Sequence, residues 1–167
     1  TDNGASIVTH FLNAMNKENT AGSIANFILS DSRLTVELIV DGHHQSFEKV
    51  QELFEAIGPR IILVSDAMAA AGNGDCSYTI GALPVEVKDG VARLASNQKL
   101  AGSTLTISQA FNNLINKCGL SVEQAVHATS TQPAKAFGLK DRGGIAVGMR
   151  ADLLSYNSST GSISVVS

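Results

Sequence analysis

Residues 61–72 read Ile-Ile-Leu-Val-Ser-Asp-Ala-Met-Ala-Ala-Ala-Gly: an apolar run that ends at one carboxylate, Asp66, and continues in small residues. Such a continuous apolar run predicts a parallel strand that is buried on both faces. In a β/α barrel, the C-terminal ends of the strands display the catalytic groups. A second interpretation makes Asp66 the N-cap of a helix formed by the alanine-rich residues behind it. This stretch alone leaves both interpretations open.

The composition indicates a chain that buries a hydrophobic core. Of its 167 residues, 44% are hydrophobic and 16% are charged, and the length fits one domain or parts of two. The net charge of −3, without a basic block, argues against a nucleic-acid-binding surface. The apolar runs are far too short to span a membrane, and the first residues do not resemble a signal peptide. We therefore expect neither nucleic acid nor a membrane as a partner.

The two cysteines suggest the cellular compartment. Cys76 and Cys118 lie far apart and do not have the spacing of metal ligands. Buried free thiols in a reducing environment are the expected state of both. The sequence thus favours a cytoplasmic protein.

The first 65 residues predict alternating strands and helices. Strands are expected over 5–10, 34–40 and 61–65, and helices around 23–29 and between Ser46 and Gly58. This order is typical of a parallel sheet. Because a closed barrel needs eight strands, the three strands predict the C-terminal part of a larger α/β protein.

After Gly72 the pattern changes to short alternating runs. Within residues 77–94, Lys88-Asp89-Gly90 is a strong signal for a β-hairpin. The residues from Thr129 to Gln132 are interpreted as a connection between helices. Tail strands are expected to rejoin the antiparallel hairpin. The remaining elements that the patterns predict are helices over 107–117, 121–128 and 133–138, and strands over 151–156 and 162–166.

Histidine and aspartate follow each of the three predicted parallel strands. His10 ends the first strand, Asp41-Gly42-His43-His44 follows the second, and Asp66 follows the third. A lone histidine is more often structural than a ligand, but the ends of parallel strands share one rim. Imidazole and carboxylate are the ligands and acid/base groups of hydrolytic metal sites.

Six motifs follow one another in a fixed order along the chain. They are Thr9-His10-Phe11-Leu12-Asn13-Ala14-Met15, Asp41-Gly42-His43-His44, Ser65-Asp66-Ala67-Met68-Ala69-Ala70-Ala71-Gly72, Leu100-Ala101-Gly102-Ser103-Thr104-Leu105, Ala128-Thr129 with Pro133-Ala134, and Gly148-Met149-Arg150-Ala151-Asp152-Leu153. This ordered set resembles the C-terminal part of one enzyme family, the N-acetylglucosamine-6-phosphate deacetylases of the amidohydrolase superfamily. The resemblance covers nearly the whole chain.

The resemblance implies a (β/α)8 TIM-type barrel, here partial, with a small β-sandwich portion. The expected parts are C-terminal half-barrel strands and helices in 1–72 and a β-sandwich or hairpin insertion in 73–100. Closing barrel helices are expected in 101–147, and a return to the sandwich in 148–167.

The resemblance also implies roles for particular residues. His10 would bind a divalent metal ion, most simply zinc, with iron, manganese or cobalt as alternatives. Asp66 would be the catalytic acid/base, and a homodimer that acts on an amino-sugar phosphate is expected. The implied substrate-binding residues are Asn13, Ala14, Asp41, Gly42, His43, His44, Leu100, Ala101 and Gly102.

The chain departs from the family pattern in two places. The family's first metal ligands lie upstream and are absent here, so this chain alone is expected to be inactive. The family's arginine-bearing phosphate loop is replaced by the short stretch 16–22, which contains no arginine. Either Lys17 substitutes as the cation, or the loop is missing from this sequence, or phosphate recognition is lost; of these three we favour the missing loop. The alternatives are another amidohydrolase, such as a cyclic amidase, or a non-catalytic remnant that retains the fold.

Overall fold

The computed structural model describes residues 1–15 and 21–166, and its centre is a three-stranded parallel sheet. The strands are β1 (Ile7–Val8), β2 (Thr35–Leu38) and β3 (Ile61–Leu63), in the order β1-β2-β3. All three residues of β3 are buried, as the apolar run predicts. The predicted parallel α/β arrangement is therefore present, although its strands are shorter than expected.

Two helices connect these strands. Helix α1 spans Ile24–Ser30 and helix α2 spans Phe47–Ile57. Each follows a serine N-cap, Ser23 or Ser46, whose hydroxyl accepts a hydrogen bond from a backbone amide three residues later. The apolar stripe of α2 faces the core, and its buried members are Val50, Leu53, Phe54 and Ile57.

Arg60 links the end of α1 to the start of β3 through hydrogen bonds. A short 3-10 turn, Gly58–Arg60, leads into the strand. The last carbonyls of a helix have no partner inside the helix, and the guanidinium supplies one. Its donors reach the backbone carbonyls of Ile28 (3.1 Å), Leu29 (2.7 Å), Asp31 (2.7 Å) and Leu34 (2.9 Å).

A separate antiparallel sheet follows, as the hairpin signal predicts. It consists of β4 (Ser77–Ile80), β5 (Leu83–Lys88) and β6 (Val91–Leu94). Asp89 and Gly90 form the turn between β5 and β6. This sheet has its own small core of Ala70, Val85, Val87, Ala92 and Ala101.

The last helices form one continuous path rather than two separate helices. After α3 (Ile107–Asn116), α4 (Val122–Val126) passes through a π-helical turn (His127–Thr131) into α5 (Gln132–Ala136). The predicted connection at Thr129–Gln132 is therefore wrong. The Gln132 amide bonds to the carbonyl five residues earlier, which is the π-helical pattern, and Pro133 follows it at the start of α5.

The tail forms its own hairpin of β7 (Leu154–Asn157) and β8 (Ser162–Val165). These strands do not pair with β4–β6 in the part of the chain that is described, so the expected pairing is wrong. The tail packs on α3 instead, with the rings of Tyr156 and Phe111 in an edge-to-face contact at 5.0 Å. Tyr156 and Ile163 of this hairpin pack against the main core.

The two cysteines differ from each other. Both are free, and Cys118 is buried as predicted, but Cys76 is exposed. In the described ranges, no helix is long and apolar enough to cross a membrane.

Candidate functional site

The candidate site lies at the C-terminal edge of the parallel sheet. His10 comes two residues after β1, while Asp41 and Asp66 come three residues after β2 and β3. Because the strands are parallel neighbours, their following loops meet at one edge. The structure thus places all three predicted strand-end groups on the same side of the sheet.

The loop after β1 has a strained backbone. His10, Leu12 and Ala14 have positive φ angles of 35°, 65° and 52°, whereas the residues between them do not. Such angles cost energy for residues other than glycine and persist only where the surroundings enforce them. Two amides of this loop are already engaged, because Phe11 donates to the Glu37 carbonyl at 2.8 Å and Asn13 donates to the His10 carbonyl at 2.9 Å.

His10 has the features of a metal ligand. Its ring atom Nδ1 is buried without a hydrogen-bond partner among residues 1–15 and 21–166, which is costly unless another group satisfies it. A divalent ion is such a group, so the residue fits the role. Within residues 1–15 and 21–166, however, no three His, Cys, Asp or Glu side chains are grouped to hold a metal. His10 could therefore supply one ligand of a larger set.

Asp41 organises the loop after β2. Its Oδ2 lies 2.7 Å from Nδ1 of His44, and its Oδ1 accepts the backbone amides of His43 (2.8 Å) and His44 (2.9 Å). Burial by itself would raise the pKa of Asp41, but these hydrogen bonds outweigh burial and lower the pKa below its ordinary value. The His44 side chain is 6% exposed, so the carboxylate holds the imidazole in a fixed orientation.

Gly42 is required for this turn. Its φ is +80°, and an added Cβ would lie 2.8 Å from a ring carbon of Phe47. Neither condition suits a larger residue. His43 is exposed and contributes only its amide to the turn among the contacts described.

Asp66 is not a helix cap. The residues that follow it form turns rather than a helix, and its own φ is 48°. The Asp66 carbonyl accepts the amide of Ser103 at 2.8 Å, while the carboxylate makes no hydrogen bond or ion pair with any described residue. Since the side chain is also exposed, its carboxylate is open to a ligand.

The segment Leu100–Gly102 is fixed next to Asp66 by Ser103, whose carbonyl accepts the Met68 amide at 2.9 Å. The Ser103 hydroxyl also donates to the Ser65 carbonyl. Ala101 packs in the small core, and Leu100 is half-buried. A cavity of about 370 Å³ is lined by Asp66, Ala67, Met68, Ala69, Thr79, Ile80 and Gly102.

The structure therefore forms two groups of predicted residues at this edge. Asp66 and Gly102 share the cavity, whereas the loops carrying His10 and His44 are joined to each other elsewhere along the edge. A larger cavity of about 500 Å³ lies away from this edge, between α3, the π-helical turn and the tail. Its arginines, Arg142 and Arg150, pair with aspartates beside them.

Sequence reasoning missed two buried polar residues at the site, Gln45 and Ser103. The Gln45 amide donates to the Leu12 carbonyl at 3.3 Å and to Asn13 Oδ1 at 3.4 Å, which joins the first two loops. Neither residue belongs to a periodic pattern that could have identified it. Lys17, one of the alternatives for the phosphate-binding loop, lies outside the described residues.

Comparisons with known proteins agree with these observations. A profile of the amidohydrolase family matches residues 102–164. A candidate N-acetylgalactosamine-6-phosphate deacetylase of Escherichia coli K12 is 37% identical over 131 residues, which is 78% of each chain. The N-acetylglucosamine-6-phosphate deacetylase of Vibrio furnissii is 36% identical over 74% of this chain and 31% of its own length.

Solved structures extend the comparison to nearly the whole chain. The N-acetylglucosamine-6-phosphate deacetylase of Thermotoga maritima is 38% identical with a TM-score of 0.88. A variant of the Mycobacterium smegmatis enzyme, in complex with N-acetyl-D-glucosamine-6-phosphate, is 37% identical with a TM-score of 0.90. Each match covers 99% of this chain and 45% of the other, so the chain spans less than half of these enzymes. The chain belongs to the N-acetylglucosamine-6-phosphate deacetylase family of the amidohydrolase superfamily, as its motifs predict.

Proposed function

We propose that the protein carrying this chain hydrolyses the acetamide of N-acetylglucosamine-6-phosphate to glucosamine-6-phosphate and acetate. The main support is Asp66, a carboxylate without a partner among the described residues, fixed at the C-terminal edge of the sheet beside a cavity. The substrate class comes from the related proteins, which are N-acetylglucosamine-6-phosphate deacetylases.

Asp66 would be the acid/base group of this reaction. An exposed carboxylate can take a proton from the attacking water and then deliver it to the departing amine. His44, oriented by Asp41, would bind the substrate and stabilise the oxyanion of the tetrahedral intermediate. The cavity beside Gly102 would receive the acetyl group, with Leu100–Gly102 closing over it.

A divalent metal ion, when bound, supplies hydroxide at neutral pH by lowering the pKa of its water. His10 would be one of its ligands, through the buried ring nitrogen Nδ1, which has no hydrogen-bond partner in the described part of the chain. An imidazole ligand suits zinc, and also iron, manganese or cobalt. Because three protein ligands are usual in catalytic zinc sites, this chain alone is expected to be inactive.

The loop after β1 would bind the sugar phosphate. Asn13 would contribute its side-chain amide and Ala14 its backbone amide, in the segment where the φ angles alternate in sign. We further propose a cytoplasmic location, since free cysteines suit a reducing compartment. A homodimer is proposed from the resemblance to the family.

The test is acetate release from N-acetylglucosamine-6-phosphate by the full polypeptide, with and without a chelator. Asp66→Asn should lower kcat by several orders of magnitude, whereas Asp75→Asn, which alters an exposed acid of the hairpin, should leave kcat near the original value. His10→Ala should reduce bound metal, measured by elemental analysis. Near-normal turnover by Asp66→Asn would exclude this mechanism.

A non-catalytic remnant is the second candidate, favoured by the lack of a three-ligand group in the described ranges. Metal-independent folding together with no acetate release by the full polypeptide would support it. A third possibility, another amidohydrolase such as a cyclic amidase, predicts turnover of a cyclic amide and none of the amino-sugar phosphate.

A further inference from the structure

A buried glutamine joins the two loops that carry the predicted substrate-binding residues. Gln45 is 5% exposed and follows directly after His44. Its Nε2 donates to the Leu12 carbonyl at 3.3 Å and to the side-chain oxygen of Asn13 at 3.4 Å. Buried amide donors need partners, and these two acceptors meet both donors of the Gln45 amide group.

The second contact determines which end of the Asn13 amide is engaged. Because Oδ1 accepts the hydrogen bond from Gln45, Nδ2 is the end that can donate to a ligand; its contact with the Phe11 carbonyl is long, at 3.5 Å. The oxygens of a phosphate dianion only accept hydrogen bonds. A reversed Asn13 amide would direct its oxygen at the anion and repel it.

We propose that Gln45 is a positioning residue for phosphate recognition. It holds Leu12 in its left-handed conformation and keeps the Asn13 amide in the orientation that donates to the phosphate of the sugar. Gln45 itself does not touch the substrate. This inference rests on the proposed function, because it takes a sugar phosphate as the ligand of the loop.

The experiment compares N-acetylglucosamine-6-phosphate with N-acetylglucosamine as substrates of the full polypeptide. Gln45→Leu removes the donors, and Gln45→Glu replaces them with acceptors that favour the reversed Asn13 amide. Gln132→Leu, at a glutamine of similar burial on α5, is the matched control. We expect KM for the phosphorylated substrate to rise about tenfold in both Gln45 variants, the effect of losing one hydrogen bond to a charged group. We also expect kcat to stay within about twofold and KM for the unphosphorylated sugar to stay unchanged.

Two further measurements separate positioning from general damage. In an Asn13→Ala background, Gln45→Leu should cause no additional rise in KM, because both changes remove the same interaction. Calorimetry should show that the Gln45 variants lose about tenfold in affinity for glucosamine-6-phosphate and nothing in affinity for glucosamine. Gln45→Met serves as a second variant if Gln45→Leu does not fold.

An equal rise in KM for the phosphorylated and unphosphorylated sugars would overturn the role of Gln45. So would fully additive effects of Gln45→Leu and Asn13→Ala on KM. If the unaltered polypeptide releases no acetate but its binding of glucosamine-6-phosphate depends on Gln45, the proposed reaction fails and the role of Gln45 stands. If it binds no sugar phosphate, the role of Gln45 is overturned as well.

Discussion

Replacing Asp41 by alanine should be among the most destabilising single changes at the candidate site. The carboxylate accepts three hydrogen bonds of 2.7–2.9 Å, and two of the donors belong to His44, which is almost fully buried. Each hydrogen bond to a charged group contributes about 1.5–3 kcal/mol, and a buried donor left without a partner adds its desolvation cost. We therefore expect Asp41→Ala to lower the free energy of unfolding by about 3–5 kcal/mol.

Asp75→Ala is the matched control. This carboxylate also accepts backbone amides, from Asp89 at 2.6 Å and Gly90 at 3.0 Å, but it is exposed. Because water can replace the carboxylate as the acceptor of these amides, Asp75→Ala should lower the free energy of unfolding by about 1 kcal/mol or less. Urea unfolding followed by circular dichroism measures both variants. The reasoning is refuted if Asp41→Ala costs no more than Asp75→Ala.

The pH dependence provides a second check on Asp41. Its pKa is lower in the folded protein than in the unfolded chain, because its hydrogen bonds outweigh the effect of burial. Its stabilisation is therefore complete above the unfolded pKa of about 3.9 and is lost as the pH falls through the folded pKa. The stability difference between the unaltered protein and Asp41→Ala should be constant near neutral pH and shrink below about pH 4. A difference that shrinks between pH 8 and pH 5 would contradict this assignment.

Three further predictions concern other sites. Arg60→Ala should destabilise the protein by about 2–4 kcal/mol in urea unfolding, since four carbonyls lose their donor. Arg60→Lys should restore less than half of this stability, because one ammonium group cannot reach all four carbonyls. Gly42→Ala should cost about 2–4 kcal/mol by the same measurement, and about half of this should disappear when Phe47→Leu makes room for the new methyl group. Burial, together with a nearby carboxylate, raises the pKa of the Cys118 thiol to about 11. At pH 8, iodoacetamide should therefore label Cys76 and leave Cys118 unmodified until urea is added, as detected by mass spectrometry. Equal labelling of the two thiols in the folded protein would contradict this.

Local sequence patterns predicted most of the elements. The helix that starts at Ser46, the buried run that becomes β3 and the Asp-Gly turn at 89–90 each act through neighbouring residues, so a single sequence suffices to find them. The same holds for the position of His10, Asp41 and Asp66 after successive strands. The resemblance to the deacetylase family rests on motifs of the same local kind.

Other predictions failed where distant residues decide the outcome. The helix runs continuously through Thr129–Gln132 because a π-helical turn packs into the fold, although the local sequence favours a break. The tail strands pair with each other rather than with β4–β6, and Tyr156 packs against Phe111 on α3. Both outcomes depend on contacts between segments that the sequence pattern does not reveal.

The sequence by itself determined where most strands, helices and turns form, and which strand ends carry imidazole and carboxylate groups, since these depend on local periodicity and capping. Only the tertiary structure decided how those groups are held. Gln45, Ser103 and Arg60 bond to backbone atoms that are distant along the chain, and the left-handed angles at His10, Leu12 and Ala14 occur in the loop that Gln45 contacts. The physical reason is that a hydrogen bond between distant segments, or a strained backbone angle, is stable only when the packed fold supplies its partners.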